Sequence, residues 1–252
     1  MNYNLNTKIV ERKTKEVYRD GDKIIKLFVE NYSKADILNE ALNQARVEEN
    51  TDLNIPKLIE VAKVDNRWAI VSQLVEGKTL ADMMAENPEK INEYLERFVD
   101  IQLEVLNHKV PLLNRVKEKY KRKISEAELD ENIRYELLQK LEGMKNHTKL
   151  CHGDFNPSNI VIREDGSFAI LDWAHVTQGN ASADVALTYL LFTLEGKEEI
   201  AKKYIDLFSK KSGIEIRYIQ SWIPIVAATR LSKAVGKEKE VLLKFVNDLE
   251  FQ

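Results

Sequence analysis

The chain has 252 residues, of which 44% are hydrophobic and 31% are charged, so it can bury a sizeable core and is not a disordered polypeptide. Its 38 basic and 41 acidic residues give a formal charge of −3, which argues against general binding to nucleic acid or anionic membranes. One cysteine is too few for a disulfide or a cysteine-based zinc site, and without a signal peptide or a bilayer-length apolar run we expect a cytoplasmic protein.

The first third of the chain is predicted to form mainly short strands. The turn Asp20-Gly21-Asp22 is a hairpin signal between two of them. One helix interrupts the strands, because Ser33 is a suitable N-cap and apolar residues recur at helical spacing from Ile37 to Ala45. The predicted strands cover 8–11, 16–19, 23–29, 58–64 and 68–74.

The rest of the chain is predicted to be mostly helical. Helices are expected at 88–107, twice within 115–143, and from 183 onward. Short strands at 149–152, 159–162 and 168–172 interrupt them. A β-rich part followed by a helix-rich part predicts an α+β protein of two lobes, 1–75 and 76–252.

The segment from Leu150 to Ile162 carries the polar groups that most resemble a reaction centre. Asp154 and Asn159 lie five residues apart in a proline-containing loop between two β-branched runs, and Asp172 ends the next apolar strand. Asparagine and aspartate oxygens suit Mg²⁺, which binds few protein ligands together with substrate phosphates. Asp154 is then free to orient a hydroxyl nucleophile, a division of roles typical of phosphoryl transfer.

The motif His152-Gly153-Asp154 with Asn159, followed by Ile170-Leu171-Asp172-Trp173, resembles the aminoglycoside phosphotransferase and choline kinase group. The resemblance implies a protein-kinase-like fold with a nucleotide-binding N-terminal lobe. It implies transfer of the γ-phosphoryl group of ATP or GTP to a small-molecule hydroxyl, with Asp154 as the catalytic base and Asn159 and Asp172 as Mg²⁺ ligands. The expected partners are nucleotide and acceptor, with no nucleic acid and no membrane, and the expected state is a monomer or weak homodimer.

The resemblance continues into the N-terminal lobe and implies further nucleotide-binding residues. Lys26 resembles the strand lysine that holds the α- and β-phosphates, and Glu40 resembles its ion-pair partner. The alternatives are an ordinary strand-edge lysine and a solvated helix residue. The backbone before the turn at Glu76-Gly77 resembles the family's adenine-binding segment, and its residues are Gln73, Leu74 and Val75.

The chain also departs from the family pattern. The phosphate-covering stretch 11–18 has no glycine; its backbone amides can still approach phosphate, and Lys13 or Lys15 are candidates to add positive charge there. Asn156 stands where protein serine/threonine kinases carry a lysine, which favours a small-molecule kinase over an atypical protein kinase. The missing glycines keep one alternative open, a weakly active or inactive nucleotide-binding pseudokinase that acts through protein partners. Neither the strongly acidic pocket expected for aminoglycosides nor an aromatic cage for choline is evident in the sequence.

Overall fold

The computed structural model describes residues 3–248, and this part of the chain contains ten strands and ten α-helices joined by turns, loops and short 3-10 helices. The strands are β1 (Thr7–Glu11), β2 (Lys15–Asp20), β3 (Lys23–Phe28), β4 (Leu58–Val64), β5 (Arg67–Gln73), β6 (Lys78–Thr79), β7 (Lys149–Cys151), β8 (Ile160–Ile162), β9 (Phe168–Ile170) and β10 (Thr177–Gly179). The helices are α1 (Lys34–Asn50), α2 (Leu80–Glu86), α3 (Ile91–Asn107), α4 (Val116–Glu126), α5 (Glu131–Gly143), α6 (Ala181–Leu194), α7 (Glu198–Ser212), α8 (Ile216–Gln220), α9 (Ile223–Arg230) and α10 (Gly236–Asn247).

The chain divides into two compact units. The first contains the residues up to Ala85 together with Pro157–His175, and the second contains Glu86–Asn156 together with the residues from Val176 onward. The predicted lobes, 1–75 and 76–252, were drawn from composition and remain a prediction; their first two and last four residues lie outside the described residues. The contact-based units differ from them chiefly in placing Pro157–His175 with the N-terminal strands.

The first unit is built on a five-stranded antiparallel sheet with the order β1-β2-β3-β5-β4. Side chains alternate between its faces, as expected for strands. Ile25 and Leu27 join a buried cluster on one face, whereas Phe28 on the other face packs with Ile37 of α1. Lys26 shares the face of Phe28, so the sheet directs its side chain toward α1.

A smaller sheet in the first unit has the order β6-β8-β9. In the β8–β9 hairpin Ile160 lies opposite Ile170. Because the strands are antiparallel, this register makes Asn159 and Leu171 neighbours, and the Leu171 N–H donates to the Asn159 carbonyl at 2.8 Å. The hairpin therefore holds the residues just beyond its open end, Asn159 and Asp172, at fixed backbone positions.

The second unit is mainly helical and is organised around α6. Most residues of α6 are buried, including Asp184 and Thr188. Burial around the whole circumference marks α6 as a central core helix. β7, which leads into the loop carrying Asp154, pairs with β10 in an antiparallel ribbon. Among residues 3–248, no helix is both long and apolar enough to cross a membrane.

Candidate active site

Four charged side chains of the first unit form a continuous ion cluster. The Lys26 Nζ lies 2.5 Å from Glu40 Oε1 and 3.2 Å from Asp172 Oδ1. The Lys15 Nζ lies 3.3 Å from the other carboxylate oxygen of Asp172, Oδ2. Thus the ion pair that the resemblance implies between Lys26 and Glu40 is present, and Asp172 is held by a lysine on each oxygen.

Local structure explains how these groups meet. Ser33 caps α1 by accepting from the Asp36 N–H at 3.3 Å, and this start places Glu40 on the turn of α1 that faces β3. On the other side, Asn43 of α1 donates from Nδ2 to the Ala174 carbonyl at 3.3 Å, which ties the helix to the segment after Asp172. Asp172 has φ of +58°, an uncommon conformation for a non-glycine residue. Such strain clusters at functional sites, where the surroundings hold it in place.

The electrostatics of Lys26 favour its charged form. Burial alone would lower the pKa of this ammonium, but attraction from Asp172 and Glu40 outweighs the burial and raises the pKa above its ordinary value. Its side chain is 17% exposed and that of Glu40 is 11% exposed, so the two charges interact with little solvent screening. Lys26 is therefore a fixed positive charge.

The donors near Asp172 fit a magnesium ion held jointly with phosphate. The backbones of Asn159 and Asp172 lie at neighbouring ends of the β8–β9 hairpin, and both residues have oxygen-bearing side chains. Within residues 3–248 no group of three or more His, Cys, Asp or Glu side chains is placed to hold a metal. Mg²⁺ typically takes one or two protein oxygens and completes its octahedron with water and substrate phosphates. The site matches that requirement.

A cavity of about 900 Å³ opens beside the segment predicted to bind adenine. Leu74 and Val75 line it and Gln73 does not. The Gln73 and Leu74 N–H groups donate to the Lys57 and Asp22 carbonyls at 2.9 and 2.7 Å. Within the described chain, the Val75 amide is the one N–H of the three that has no partner. It is thus the one backbone donor of these three that remains open to a ligand.

The turn after this segment depends on glycine. Gly77 has φ of +144°, and a Cβ built there would lie 2.4 Å from the Ile162 carbonyl oxygen and 2.7 Å from Val161 Cγ1. No side chain fits at that distance. The glycine allows the chain to pass directly over β8 and so fixes the floor of the cavity.

The loop that carries Asp154 is anchored within the second unit. The Gly153 N–H donates to Asp184 Oδ1 at 2.7 Å, and the Thr188 hydroxyl donates to the Phe155 carbonyl at 2.7 Å. The residues on both sides of Asp154 are therefore bonded to α6. In addition, His152 is fully buried and its Nδ1 accepts from the Asp154 N–H at 3.3 Å, consistent with a bracing role.

Asp184 is the buried anchor of this loop. Burial raises its pKa to about 6, although hydrogen bonds from Gly153, Gln102 and His152 oppose the increase. Gln102 in turn accepts from the Tyr204 hydroxyl at 2.5 Å. The anchor thus belongs to a hydrogen-bonded network inside the helical core.

Sequence reasoning did not identify several of these groups. It named Lys15 only as one of two candidate charges, and it did not single out Gln102 or Thr188. These lie in helices or strands with no local motif, and only their spatial neighbours distinguish them. Elsewhere, Trp222 is fully buried in the helical core, and His175, three residues after Asp172, is exposed. Cys151 is a buried thiol whose pKa burial raises, as expected for an inert core cysteine.

Comparison with known proteins shows the family of the chain and solved structures of similar fold. The sequence profile of the phosphotransferase enzyme family matches residues 15–215. A solved aminoglycoside phosphotransferase APH(4)-Ia in complex with ADP and hygromycin B superposes with a TM-score of 0.70 at 11% identity, covering 96% of this chain and 92% of that one. An aminoglycoside-3'-phosphotransferase of type VIII superposes with a TM-score of 0.62 at 15% identity, covering 98% and 94%. A GDP complex of an aminoglycoside 2'-phosphotransferase-IIIa mutant gives 0.59 at 14% identity, covering 97% and 90%. No curated protein matches the sequence.

Proposed function

We propose that the chain, which belongs to the phosphotransferase enzyme family and is a small-molecule kinase, transfers the γ-phosphoryl group of ATP or GTP to an acceptor hydroxyl. The observation that carries the proposal is the ion cluster in which Lys26 contacts both Glu40 and Asp172. A lysine held by a helix glutamate and placed against a strand-end aspartate is the arrangement that phosphoryl transfer uses to bind phosphates and metal.

In the proposed mechanism Lys26 binds the α- and β-phosphates while Glu40 keeps the ammonium in position. Asn159 and Asp172 would hold Mg²⁺ against the phosphates. When bound, the metal neutralises charge on the transferring group and helps to align it. The protein contributes fixed positive charge and orientation, which account for most of the catalysis in phosphoryl transfer.

Asp154 is proposed as the base. Its carboxylate orients the acceptor hydroxyl in line with the γ-phosphate and accepts the proton late, because the transition state is loose and the hydroxyl need not be deprotonated early. Support comes from the hydrogen bonds that fix Gly153 and Phe155 on either side of it. Such anchoring reduces the freedom that a positioned base would otherwise lose in the transition state.

The base of the nucleotide is proposed to lie in the cavity beside Leu74 and Val75, with the Val75 N–H as donor. An amide donor of this kind serves adenine and guanine alike. Solved structures of similar fold contain ADP in one case and GDP in another. Both nucleotides are therefore included in the test below.

The acceptor is proposed to be a metabolite or an aminoglycoside-like molecule that carries a free hydroxyl. The reaction needs no membrane, nucleic acid or second subunit, and we propose a cytoplasmic monomer or weak homodimer. A second candidate is a nucleotide-binding pseudokinase. It is favoured by the glycine-free turn between β1 and β2, which offers fewer flexible amides to phosphate.

A nucleotide-consumption screen tests the proposal. The protein is incubated with Mg²⁺, ATP or GTP, and a library of hydroxyl metabolites and aminoglycosides, and an Asp154→Asn protein serves as the blank. Consumption that depends on one acceptor and is absent from the blank supports the kinase. A nucleotide-dependent rise in melting temperature without turnover on any acceptor would instead support the pseudokinase.

A further inference from the structure

Lys15 occupies an unusual place in the ion cluster. It is the first residue of β2 and directly follows the tight turn Arg12–Thr14, which is closed by the Arg12 N–H donating to the Lys15 carbonyl at 2.9 Å. From there its ammonium reaches 3.3 Å from Asp172 Oδ2, across 157 residues of sequence. Its side chain is 23% exposed, so the contact is not that of a freely moving surface lysine.

The two lysines at Asp172 differ in their other partners. Lys26 also contacts Glu40, whereas Asp172 is the one acidic partner of Lys15 among the described residues. If Asp172 coordinates Mg²⁺, a divalent cation competes with both ammonium groups for the same carboxylate. Lys26 would keep Glu40 as a counter-ion. Lys15 would have none, and a half-buried ammonium without a counter-ion is unfavourable.

The charges of the cluster indicate which group would replace Asp172 as the counter-ion of Lys15. Two lysines and a divalent metal carry four positive charges, and Glu40 with Asp172 supplies two negative ones. A nucleotide polyphosphate supplies the missing negative charge at this position. Lysine is well suited to the role, since its ammonium contacts phosphate as a compact point charge on a flexible stem.

The turn preceding Lys15 explains why a side chain would be needed. A glycine-rich loop contacts phosphate through several backbone amides, and such a loop requires residues free of a Cβ. The turn at 12–14 contains none, and the Arg12 amide already donates to Lys15. Backbone donors are therefore scarce at the point where the phosphates would be covered.

We propose that Lys15 is a phosphate-binding residue that replaces the glycine-rich loop, releasing Asp172 to the metal and contacting the terminal phosphates of the nucleotide. This inference rests on the proposed function. It makes two predictions of opposite sign for Lys15→Ala. Affinity for a nucleoside diphosphate falls because a cation is lost, while affinity of the nucleotide-free protein for a divalent cation rises because a competitor for Asp172 is removed.

The test is a set of binding measurements that needs no acceptor. Wild type, Lys15→Ala, Lys15→Arg and the control Lys13→Ala are titrated calorimetrically with adenosine, guanosine, ADP and GDP, the diphosphates in the presence of Mg²⁺. Mn²⁺ binding without nucleotide is followed by electron paramagnetic resonance. Lys13 is exposed in the same turn and lacks an ion pair with any described residue, so it controls for general surface charge.

For Lys15→Ala we expect diphosphate affinity to fall by about tenfold or more, because a charge-assisted contact is lost. Nucleoside affinity should be unchanged, and Mn²⁺ affinity should increase by about threefold, since one competing positive charge is gone. Lys15→Arg should restore most of the diphosphate affinity, and Lys13→Ala should resemble wild type.

The inference is overturned if Lys15→Ala binds diphosphate as tightly as wild type, or if Lys13→Ala loses as much affinity. Equal losses for nucleoside and diphosphate would also overturn it, because they would indicate a general structural effect. If the wild type binds neither ADP nor GDP, the proposed function itself fails, and that result is distinct from a failure of Lys15 alone.

Discussion

The ion cluster of the first unit and the Asp154 loop of the second unit are organised in different ways. In the cluster, the groups proposed to act on the nucleotide hold one another: Lys15 and Lys26 both contact Asp172. In the loop, the proposed base is held by groups that take no part in the reaction, since Asp184 and Thr188 bind the backbone on either side of it.

The difference indicates what each region does when substrates bind. Contacts among oppositely charged groups can be exchanged for contacts with phosphate and metal, so the cluster is expected to rearrange. Backbone hydrogen bonds to a buried helix have no such alternative partner, so the loop is expected to keep its geometry. Substitutions in the cluster should therefore alter binding, whereas those in the loop should alter turnover or stability.

The largest effect is expected for Asp172→Ala. Loss of this ligand removes metal neutralisation of the transferring charge, a contribution of several kcal/mol, and turnover should fall by about three orders of magnitude or more. Steady-state kinetics across a Mg²⁺ titration measure it, with Glu11→Ala, an exposed carboxylate of the same unit, as the control. A variant that keeps more than about a tenth of wild-type turnover would contradict the assignment.

Asp154→Asn separates turnover from binding. The amide keeps the shape of the side chain but cannot accept the proton, so kcat should fall by about two to four orders of magnitude. The nucleotide Kd should change little, because Lys26, Asn159 and Asp172 remain. Asp206→Asn, an exposed carboxylate of the same unit, is the matched control. A Kd that weakens together with kcat would identify Asp154 as a metal ligand or a folding residue.

Asp184 tests the scaffold beneath the loop through its pH dependence. Its folded pKa of about 6 lies above the ordinary value of 3.8, so the folded state binds the proton more tightly. This tighter proton binding contributes its full stabilisation of the folded state below about pH 4, and the contribution is lost as the pH rises through about 6. Relative to Asp184→Asn, wild type should lose on the order of 3 kcal/mol across this window. Urea unfolding of both proteins at pH 4.5, 5.5 and 7.5 measures this loss. If the free energies of unfolding of the two proteins change in parallel with pH, the raised pKa of Asp184 is refuted.

The smallest effects are expected for the pair Lys26 and Glu40. Lys26→Ala should raise the nucleotide KM or lower kcat by about ten- to a hundredfold, the range for a lost charge-assisted contact to phosphate. Glu40→Ala should have a milder effect, since the ammonium remains and loses only its orientation. Lys23→Ala, on the same strand, is the control. Equal effects of Lys23→Ala and Lys26→Ala would contradict a specific phosphate contact of Lys26.

Much of the fold could be predicted because the relevant signals are local. The run of strand-forming residues from Leu58 to Val64 predicts the bounds of β4, and Ser33 predicts the start of α1; the structure confirms both. By contrast, β6 and β10 have two and three residues, too few for any periodic pattern, and were not predicted. β10 matters because it is the strand that pairs with β7, and β7 leads into the loop that carries Asp154.

The candidate site was predictable only in part, for a related reason. A short motif such as His152-Gly153-Asp154 with Asn159 concentrates its information in a few adjacent positions. Lys26 alternates with the apolar Phe28 on one face of β3, so the sequence also indicates that its charge needs an anionic partner. Contacts such as that of Lys15 with Asp172 join positions 157 residues apart, and no local pattern encodes them.

The division of the first unit between two stretches of chain has a consequence for biosynthesis. Asp172 follows Lys26 by 146 residues, so at typical rates of about 5–20 residues per second the ribosome delivers it roughly 7–30 s later. During this interval the nascent five-stranded sheet carries Lys15 and Lys26 without the carboxylate that joins them. The sheet and α1 have to remain folded, or be protected by chaperones, until the β8–β9 hairpin arrives. Ribosome stalling between Ala85 and Pro157 would therefore expose an incomplete first unit.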